Sequence, residues 1–329
     1  MKKWLWIEIV LLVVILVAGI AVCGSLPVFQ PETPDTPDVP DQPQEQIVAT
    51  TTETTEAALT WMTFPADRQL TAQQAFVYDC NAGEFTYLLG EETDRVYPAS
   101  ITKLFTAYVA LQFLEPKQHI VAGDVLDLVG AGSSVAGIEK GNILTVPMLV
   151  EAMLLPSGND AAYILADAAG KVIKGDDTLN PSAAVAAFLK EMNGQARALG
   201  MSGTNFTNPD GYHSPDHYTT FADMAKMSEK ILENNMIRGF AQVSKEEAVF
   251  VTGETKSWEN TNKLVDPSSE YYCPLATGLK TGQTPSAGSC LLSSFEQEDR
   301  QWVIGVFGCP EIEDRFEDTL QLLNQTIGE

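Results

Sequence analysis

The sequence predicts an α+β fold in which an antiparallel sheet is flanked by helices and accompanied by a mostly helical subdomain. Residues 74–80 and 84–89 are β-like runs joined by a short turn with Gly83, a pattern typical of a hairpin. The central third carries apolar patterns of helical period, and strand-like runs return after residue 248. Strands at both ends of a helical middle predict that the N-terminal and C-terminal strands lie side by side in one sheet.

Composition limits the classes of function. The chain has 329 residues, of which 45% are hydrophobic, enough for one large domain or two modest ones. A net charge of -24 argues against nucleic acid and against an anionic lipid surface as electrostatic partners. The chain has three histidines, five cysteines without a Cys-x-x-Cys pair, and no glycine-rich nucleotide loop. We therefore expect no metal and no cofactor.

The N-terminus resembles a targeting segment. Lys2 and Lys3 precede an apolar run of about 19 residues interrupted only by Glu8, nearly long enough to span a bilayer. The basic flank predicts that the rest of the chain is exported. A retained signal-anchor is preferred, because no clear cleavage site follows; a cleaved signal peptide and a lipoprotein site at Cys23 are the alternatives. Each interpretation of residues 1–23 predicts a location on the outer face of the cell membrane or secretion.

A spacer follows the targeting segment. Residues 24–60 are dominated by proline, threonine and acidic residues and cannot bury a core, so they are predicted to form a disordered acidic linker. Residues 61–329 then form the folded domain. Besides the hairpin it should contain helices at 104–114, 146–155, 161–169, 183–199, 221–232 and 316–324, and strands at 248–252, 288–294 and 302–307.

The first of these helices carries the most informative pair of residues. Its apolar run is too uniform for a surface strand, so we expect a buried helix that ends near Pro116. Ser100 lies in its first turn, and Lys103 follows on the same face. An N-cap serine is the simple interpretation, but a capping box has Glu or Gln where this chain has Lys103. A buried lysine near the positive end of a helix has a lowered pKa and can act as a base beside a nucleophile.

Two further motifs follow in the chain. Ser157 and Asn159 form a Ser-x-Asn turn between two predicted helices, and Lys280, Thr281 and Gly282 open a predicted strand. Each is common by chance as a loop or strand sequence. Ser-x-x-Lys, Ser-x-Asn and Lys-Thr-Gly in this order are the motif set of penicillin-binding proteins and class A β-lactamases.

From about residue 63 onward the sequence resembles the low-molecular-mass serine D-alanyl-D-alanine carboxypeptidases, which implies a DD-peptidase/β-lactamase-like fold. The resemblance is carried by segments 98–103, 156–162, 192–201, 207–211, 218–223 and 280–284. One departure is Asp210, which stands where histidine is common in that family.

The resemblance implies a set of catalytic roles. Ser100 attacks the carbonyl between two D-alanines, and Lys103 removes its proton. Ser157 passes a proton to the leaving amine, and Asn159 binds the substrate's amide carbonyl and helps to hold Lys103. The amides of Ser100 and Gln283 form the oxyanion hole.

The resemblance also implies a set of substrate-binding residues. Those that meet the substrate's tail lie on one strand: Lys280, Thr281, Gly282, Gln283 and Thr284. Arg315 falls where relatives place a second carboxylate-binding cation, and its alternative role is that of a solvated residue in the first turn of a helix.

These roles predict a serine carboxypeptidase that trims peptidoglycan pentapeptides ending in D-Ala-D-Ala and is acylated by β-lactam antibiotics. Its N-terminal segment would anchor it to the membrane. A class A β-lactamase would need a deacylating glutamate, and the nearest candidate, residues 176–180, carries aspartate and lies too close to the Ser-x-Asn turn. A non-catalytic penicillin-binding sensor would not need Lys103. A histidine site at His213 and His217 lacks an evident third ligand.

The cysteines leave two alternatives open. In an exported domain Cys290 and Cys309, on adjacent predicted strands, are the most plausible disulfide pair. Buried free thiols are the other possibility.

Overall fold

The computed structural model describes residues 68–327. The predicted membrane or signal segment 1–23 and linker 24–60 lie outside this range. Within it, no helix has both the length and the apolar character needed to cross a bilayer.

The described elements follow the predicted order of a strand pair, a mostly helical middle, further strands and a last helix. In chain order they are β1 (Gln74–Asp79), β2 (Glu84–Leu89), β3 (Arg95–Val96), α1 (Thr102–Ala110), β4 (His119–Val121), β5 (Ile143–Thr145), α2 (Val146–Leu154), α3 (Asn159–Lys174), α4 (Pro181–Ala198), β6 (Thr219–Thr220), α5 (Phe221–Leu232), α6 (Asn235–Ala241), β7 (Lys245–Val249), β8 (Thr255–Glu259), β9 (Ala276–Thr284), β10 (Gly288–Gln297), β11 (Arg300–Cys309) and α7 (Asp314–Ile327). Short 3-10 turns occupy Ala99–Ile101, Asp124–Leu128 and Lys263–Val265.

The central sheet has five strands in the order β2-β1-β11-β10-β9, and every neighbouring pair is antiparallel. The N-terminal β1 pairs with the C-terminal β11, so the predicted side-by-side arrangement is confirmed. Strand β9 is an edge strand of this sheet. An edge strand presents main-chain groups that have no partner in the sheet, and it can therefore bind another extended chain.

The two faces of the sheet bury different cores. Along β1, Phe76 and Tyr78 point into the cluster shared with the helices of the middle third, whereas Ala75 and Val77 point into the cluster shared with α7. This is the period-two alternation of a strand that is covered on both sides.

Helix α1 lies inside the larger cluster. Eight of its nine residues are buried, which confirms the helix predicted from the apolar run, although it ends at Ala110, before the predicted stop near Pro116. A helix that is covered on nearly all sides fixes the position of the residues at its start. The residues just before and within its first turn are therefore held firmly by the core.

Two expectations about the elements are corrected. The strand predicted at 248–252 begins and ends three residues earlier, as β7, and pairs with β8 in a separate two-stranded ribbon. Helix α6 was not predicted; it has only seven residues and depends on a cap, because the side chain of Asn234 accepts hydrogen bonds from its first amides.

The first described residues are attached to the last helix through one buried carboxylate. Asp318 in α7 is fully buried and accepts hydrogen bonds from Arg68 (2.8 Å), the Thr71 amide (2.9 Å) and the Ala72 amide (2.7 Å). This contact closes the α7 face of the sheet.

The four cysteines of the described residues are free thiols, so of the two alternatives the Cys290–Cys309 disulfide is not formed. Cys290 and Cys309 are both buried, which agrees with the alternative of buried thiols.

Candidate active site

Ser100 lies in the 3-10 turn Ala99–Ile101, directly before α1. No side chain caps this turn or the start of α1 within the described residues, so the interpretation of Ser100 as an N-cap is wrong. Its hydroxyl oxygen is instead 2.7 Å from the Nζ of Lys103, one helical turn further on. The pair has the distance of a short hydrogen bond between a hydroxyl and an amine.

Lys103 is completely buried. Its second hydrogen bond goes to the main-chain oxygen of Asp210, at 2.8 Å. Burial lowers the pKa of Lys103 from 10.5 to about 8, and the charges of Asp210 and Asp160 oppose part of that shift. A substantial fraction of the amine is therefore neutral near pH 8, as a base must be.

Two other segments of the backbone, at Gly211 and at Gly282, pack closely against the turn that carries Ser100. Ala99 has a φ of +48°, a left-handed conformation that is strained for alanine. A Cβ at Gly211 would lie 1.8 Å from the carbonyl oxygen of Ala99, and a Cβ at Gly282 would lie 2.8 Å from that of Pro98. Only glycine permits these contacts, which place the 208–213 loop and β9 against the nucleophile.

The Ser-x-Asn turn lies between α2 and α3, as predicted. Ser157 is buried and has a φ of +64°, a second strained position in the site. The main-chain amide of Asn159 donates to the carbonyl oxygen of Ser134 (2.8 Å). The side-chain oxygen of Asn159, Oδ1, is buried and has no hydrogen-bond partner among the described residues. The implied hydrogen bond between Lys103 and Asn159 is therefore not present; Lys103 donates to Asp210 in its place.

Lys280 lies in β9, which begins at Ala276, before the predicted start of the strand. Its Nζ is 3.2 Å from the main-chain oxygen of Thr281 and 3.4 Å from the hydroxyl of Thr261. Burial, followed by the charges of Lys103 and Arg315, holds the pKa of Lys280 well below its usual value. Lys280 thus lies close enough to Lys103 and to Arg315 for their charges to oppose its own.

Thr261 connects the second and third motifs. Its amide donates to the carbonyl oxygen of Leu155, two residues before Ser157 (3.1 Å), and its hydroxyl lies 2.6 Å from that of Thr281. No sequence pattern could have indicated this role, because Thr261 belongs to a polar loop without periodicity or motif.

One cavity of about 480 Å³ lies beside Ser100. Predicted site residues that line it are Ser100, Asn159, Gln283 and Thr284, and Asp210 lines it as well. Gln283 is exposed on the edge strand, whereas the Thr284 hydroxyl accepts a hydrogen bond from the Ala287 amide and thereby shapes the β9–β10 turn.

Arg315 lies in the first turn of α7 and is 6% exposed, so the alternative of a solvated residue is wrong. It lines a neighbouring cavity together with Thr261 and not the Ser100 cavity. Its buried Nε has no hydrogen-bond partner among the described residues, and its charge acts on Lys280. An unpaired guanidinium of this kind is suited to an incoming carboxylate.

The other candidates from the sequence lie elsewhere. Asp176 hydrogen-bonds the amide and hydroxyl of Thr178 in the exposed loop after α3, so it does not replace a deacylating glutamate. His217 is buried between Thr102 (2.8 Å) and the Thr207 amide (3.1 Å), where it supports the start of α1. Across residues 68–327 no group of three or more His, Cys, Asp or Glu side chains is placed to hold a metal ion.

A serine hydroxyl within hydrogen-bond distance of a buried lysine amine, beside an edge strand with a second buried lysine, is an arrangement suited to a serine nucleophile with a lysine base. The model of the D-alanyl-D-alanine carboxypeptidase family, Peptidase_S11, matches residues 60–310. The chain belongs to this family.

Individual relatives agree with the family model. The chain is 28% identical over 258 residues to D-alanyl-D-alanine carboxypeptidase DacF of Bacillus subtilis, covering 77% of this chain and 61% of that protein. It is 30% identical over 257 residues to a D-alanyl-D-alanine carboxypeptidase of Streptomyces sp. strain K15, covering 75% of this chain and 84% of the relative.

Solved structures show the same fold. The Streptomyces K15 DD-transpeptidase superposes with a TM-score of 0.71 at 27% identity, over 82% of this chain and all of that one. Penicillin-binding protein D2 from Listeria monocytogenes, in an ampicillin-bound form, gives a TM-score of 0.62 at 26% identity, over 77% of this chain and 96% of that chain. The antiparallel α+β fold of these proteins is therefore the fold of this chain.

Proposed function

We propose that this protein is a serine-type D-Ala-D-Ala carboxypeptidase that forms an acyl-enzyme on Ser100 and is acylated by β-lactams. The observation that carries the proposal is the 2.7 Å contact between Ser100 Oγ and the Nζ of the fully buried Lys103. The neutral amine takes the hydroxyl proton as the oxygen attacks the carbonyl carbon between the two D-alanines.

The remaining motifs complete the acylation step. The proton held by Lys103 must reach the departing amine of the terminal D-alanine, and Ser157, in the loop joined through Thr261 to Lys280, is the proposed carrier. The amides of Ser100 and Gln283 are the proposed oxyanion hole, since β9 packs against the turn of Ser100 with an unpaired strand edge.

The charge of the site selects the substrate. Lys280 is buried, and the charges of the buried Lys103 and Arg315 lower the stability of its charged form further. A substrate with a free C-terminal carboxylate supplies the missing negative charge, whereas an amidated peptide does not. Thr281 and Thr284, on the same strand, are the proposed hydroxyl partners of that carboxylate.

Transpeptidation is the second candidate, because the chain resembles a structure described as a DD-transpeptidase over the whole length of that structure. The two reactions share the acyl-enzyme and differ in whether water or an amine attacks it. Adding glycine, or a D-amino acid other than D-alanine, to the assay as acceptor separates them, since a transpeptidase forms the exchanged peptide at the expense of hydrolysis.

The test is release of D-alanine from a pentapeptide ending in D-Ala-D-Ala. The wild-type protein should release it, and Ser100→Ala should not. Ser134→Ala is a matched control, because Ser134 is an exposed serine that lines the same cavity and holds Asn159 through its main-chain oxygen. Equal release by wild type and Ser100→Ala would contradict the proposal.

For location, we propose that the N-terminal segment holds the catalytic domain on the outer face of the membrane. Support comes from Lys2 and Lys3 ahead of the apolar run and from the acidic linker that follows it. Mass spectrometry of the mature N-terminus tests this: an intact Met1 or a lipid on Cys23 would favour anchoring, and an unmodified new N-terminus after the apolar run would show secretion.

A further inference from the structure

Asp210 is a buried carboxylic acid in the cavity of Ser100. One carboxylate oxygen accepts a hydrogen bond from the Tyr212 amide (3.1 Å). The other, Oδ2, is buried and has no hydrogen-bond partner among residues 68–327. The contact of Asp210 with Lys103 goes through the main-chain oxygen and leaves the carboxylate available for another role.

A second acceptor without a partner lines the same cavity. This is Oδ1 of Asn159, whose residue is 6% exposed. Tyr163 lies one turn further along α3, on the same face. Burial, and then the charge of Asp210, raise the pKa of the Tyr163 phenol, so the Asp210 carboxylate lies near this face of α3.

Two buried oxygen acceptors without a partner thus line one cavity beside the nucleophile, and a small donor such as water can satisfy them. Buried polar groups that lack a partner are costly, and water satisfies such pairs when the site is polar and large enough. The substrate peptide is a poorer candidate for Oδ2, since Asp210 is 1% exposed and a bulky side chain cannot reach it.

We propose that Asp210 is a further catalytic residue: with Asn159 it binds the water that hydrolyses the acyl-enzyme, and it acts as the general base of that step. The inference rests on the acyl-enzyme on Ser100 proposed above. Asn159 retains its amide NH₂ for the substrate's carbonyl, because only its oxygen is used for the water.

The step balances without another reactant. The water oxygen forms a bond to the acyl carbonyl carbon while one water proton passes to the Asp210 carboxylate. The tetrahedral intermediate then collapses, and the bond between that carbon and Ser100 Oγ breaks. As that bond breaks, the proton that Asp210 took from the water passes to the neutral amine of Lys103, and Lys103 passes it to Oγ, so the free serine, the ionisable peptide acid and the original protonation states are restored.

The environment of Asp210 suits a base. Burial raises its pKa above the usual range for aspartate, and the charge of Lys103 limits the rise. A carboxylate with a raised pKa is a better proton acceptor near neutral pH than an exposed one. The titratable groups near Asp210 and Lys103 are Tyr163, Asp160, Lys280 and the imidazole of His217, which is neutral near pH 7.

The experiment separates acylation from deacylation. Acylation by penicillin and subsequent loss of the adduct are followed by intact-mass spectrometry, after free penicillin is removed. Asp210→Asn keeps the main-chain contact with Lys103 and an oxygen for the Tyr212 amide. Asp210→Ala repeats the test, because an asparagine before Gly211 is prone to deamidation. Asp216→Asn, an exposed carboxylate of the same loop, is the control.

For Asp210→Asn we expect acylation within about threefold of wild type, or faster, and adduct loss slower by about 100-fold, the range of a lost general base. Asp216→Asn should match wild type in both steps. Adduct loss at the wild-type rate in both Asp210 variants would overturn the inference, and so would an equal slowing of both steps, which is the result expected if Asp210 only supports Lys103. A wild-type protein that forms no adduct would instead refute the acyl-enzyme itself.

Discussion

The pH dependence of acylation follows from the position of Lys103. Burial lowers its pKa from 10.5 to about 8. At pH 7 about 9% of such an amine is neutral, compared with about 0.03% of an ordinary lysine, so burial increases the amount of base about 300-fold. Since only the neutral amine can take the proton of Ser100, the acylation rate should rise about tenfold from pH 6 to pH 7 and level off above pH 8.

The assay is single-turnover acylation by a fluorescent penicillin at saturating concentration, between pH 6 and pH 9. Saturation matters, because the bound carboxylate then keeps the charge state of Lys280 constant across the series. Acylation by Lys103→Met should be slower by at least about a thousandfold, given the usual contribution of a general base. A rate that is flat between pH 6 and pH 8, or that is still rising towards pH 10, would refute the assignment of Lys103 as a base with a lowered pKa.

Three further predictions concern stability and geometry. Burial lowers the pKa of His217 from 6.5 to about 4, so its contribution to the unfolding free energy is complete above pH 6.5 and is lost as the pH falls towards 4. The difference between these two pKa values, at 1.36 kcal/mol per unit, predicts a fall of about 3 kcal/mol in the unfolding free energy. Urea titrations at pH 7 and pH 4 should show a smaller fall for His217→Gln than for the wild-type protein. Asp318→Ala removes an acceptor of Arg68 and of two main-chain amides and should lower the unfolding free energy by about 3 kcal/mol. Glu317→Ala removes the more exposed partner of the same arginine and should change the unfolding free energy by less than about 1 kcal/mol. Equal effects of the two substitutions in denaturant titrations would contradict this. Gly282→Ala places a Cβ 2.8 Å from a main-chain oxygen and 3.3 Å from the amide nitrogen of the nucleophile, so acylation should fall about 100-fold in the same penicillin assay; Gly194→Ala, in open space on α4, should leave the rate unchanged.

The parts of the fold that could be predicted are those with strong local patterns. Helix α1 follows from its apolar run, and the β1–β2 hairpin follows from two β-like runs on either side of a short turn with Gly83. The sequence could not predict that β7 and β8 form a separate ribbon, because a strand-like run of residues does not indicate which sheet the strand joins. Helix α6 is too short for its periodicity to be distinguished from a loop.

The site shows the same division. The three motifs identified Ser100 and its lysines because each motif is local in sequence. Thr261 and Asp210 act through contacts between segments that are distant in sequence, such as the main-chain oxygen that receives Lys103. A main-chain acceptor has no side-chain signature, so no motif search could have found it. Because Lys103 donates to this main-chain oxygen, the implied hydrogen bond from Lys103 to Asn159 is not formed.

The measurement that tests the account most directly is the location of the penicillin adduct by peptide mapping and mass spectrometry. At pH 8 the wild-type protein should carry one adduct, on the peptide that contains Ser100, and Lys103→Met should carry almost none after the same time. An adduct on Ser157, or a Lys103→Met protein labelled as fast as wild type, would contradict the claim that the buried amine of Lys103 activates Ser100.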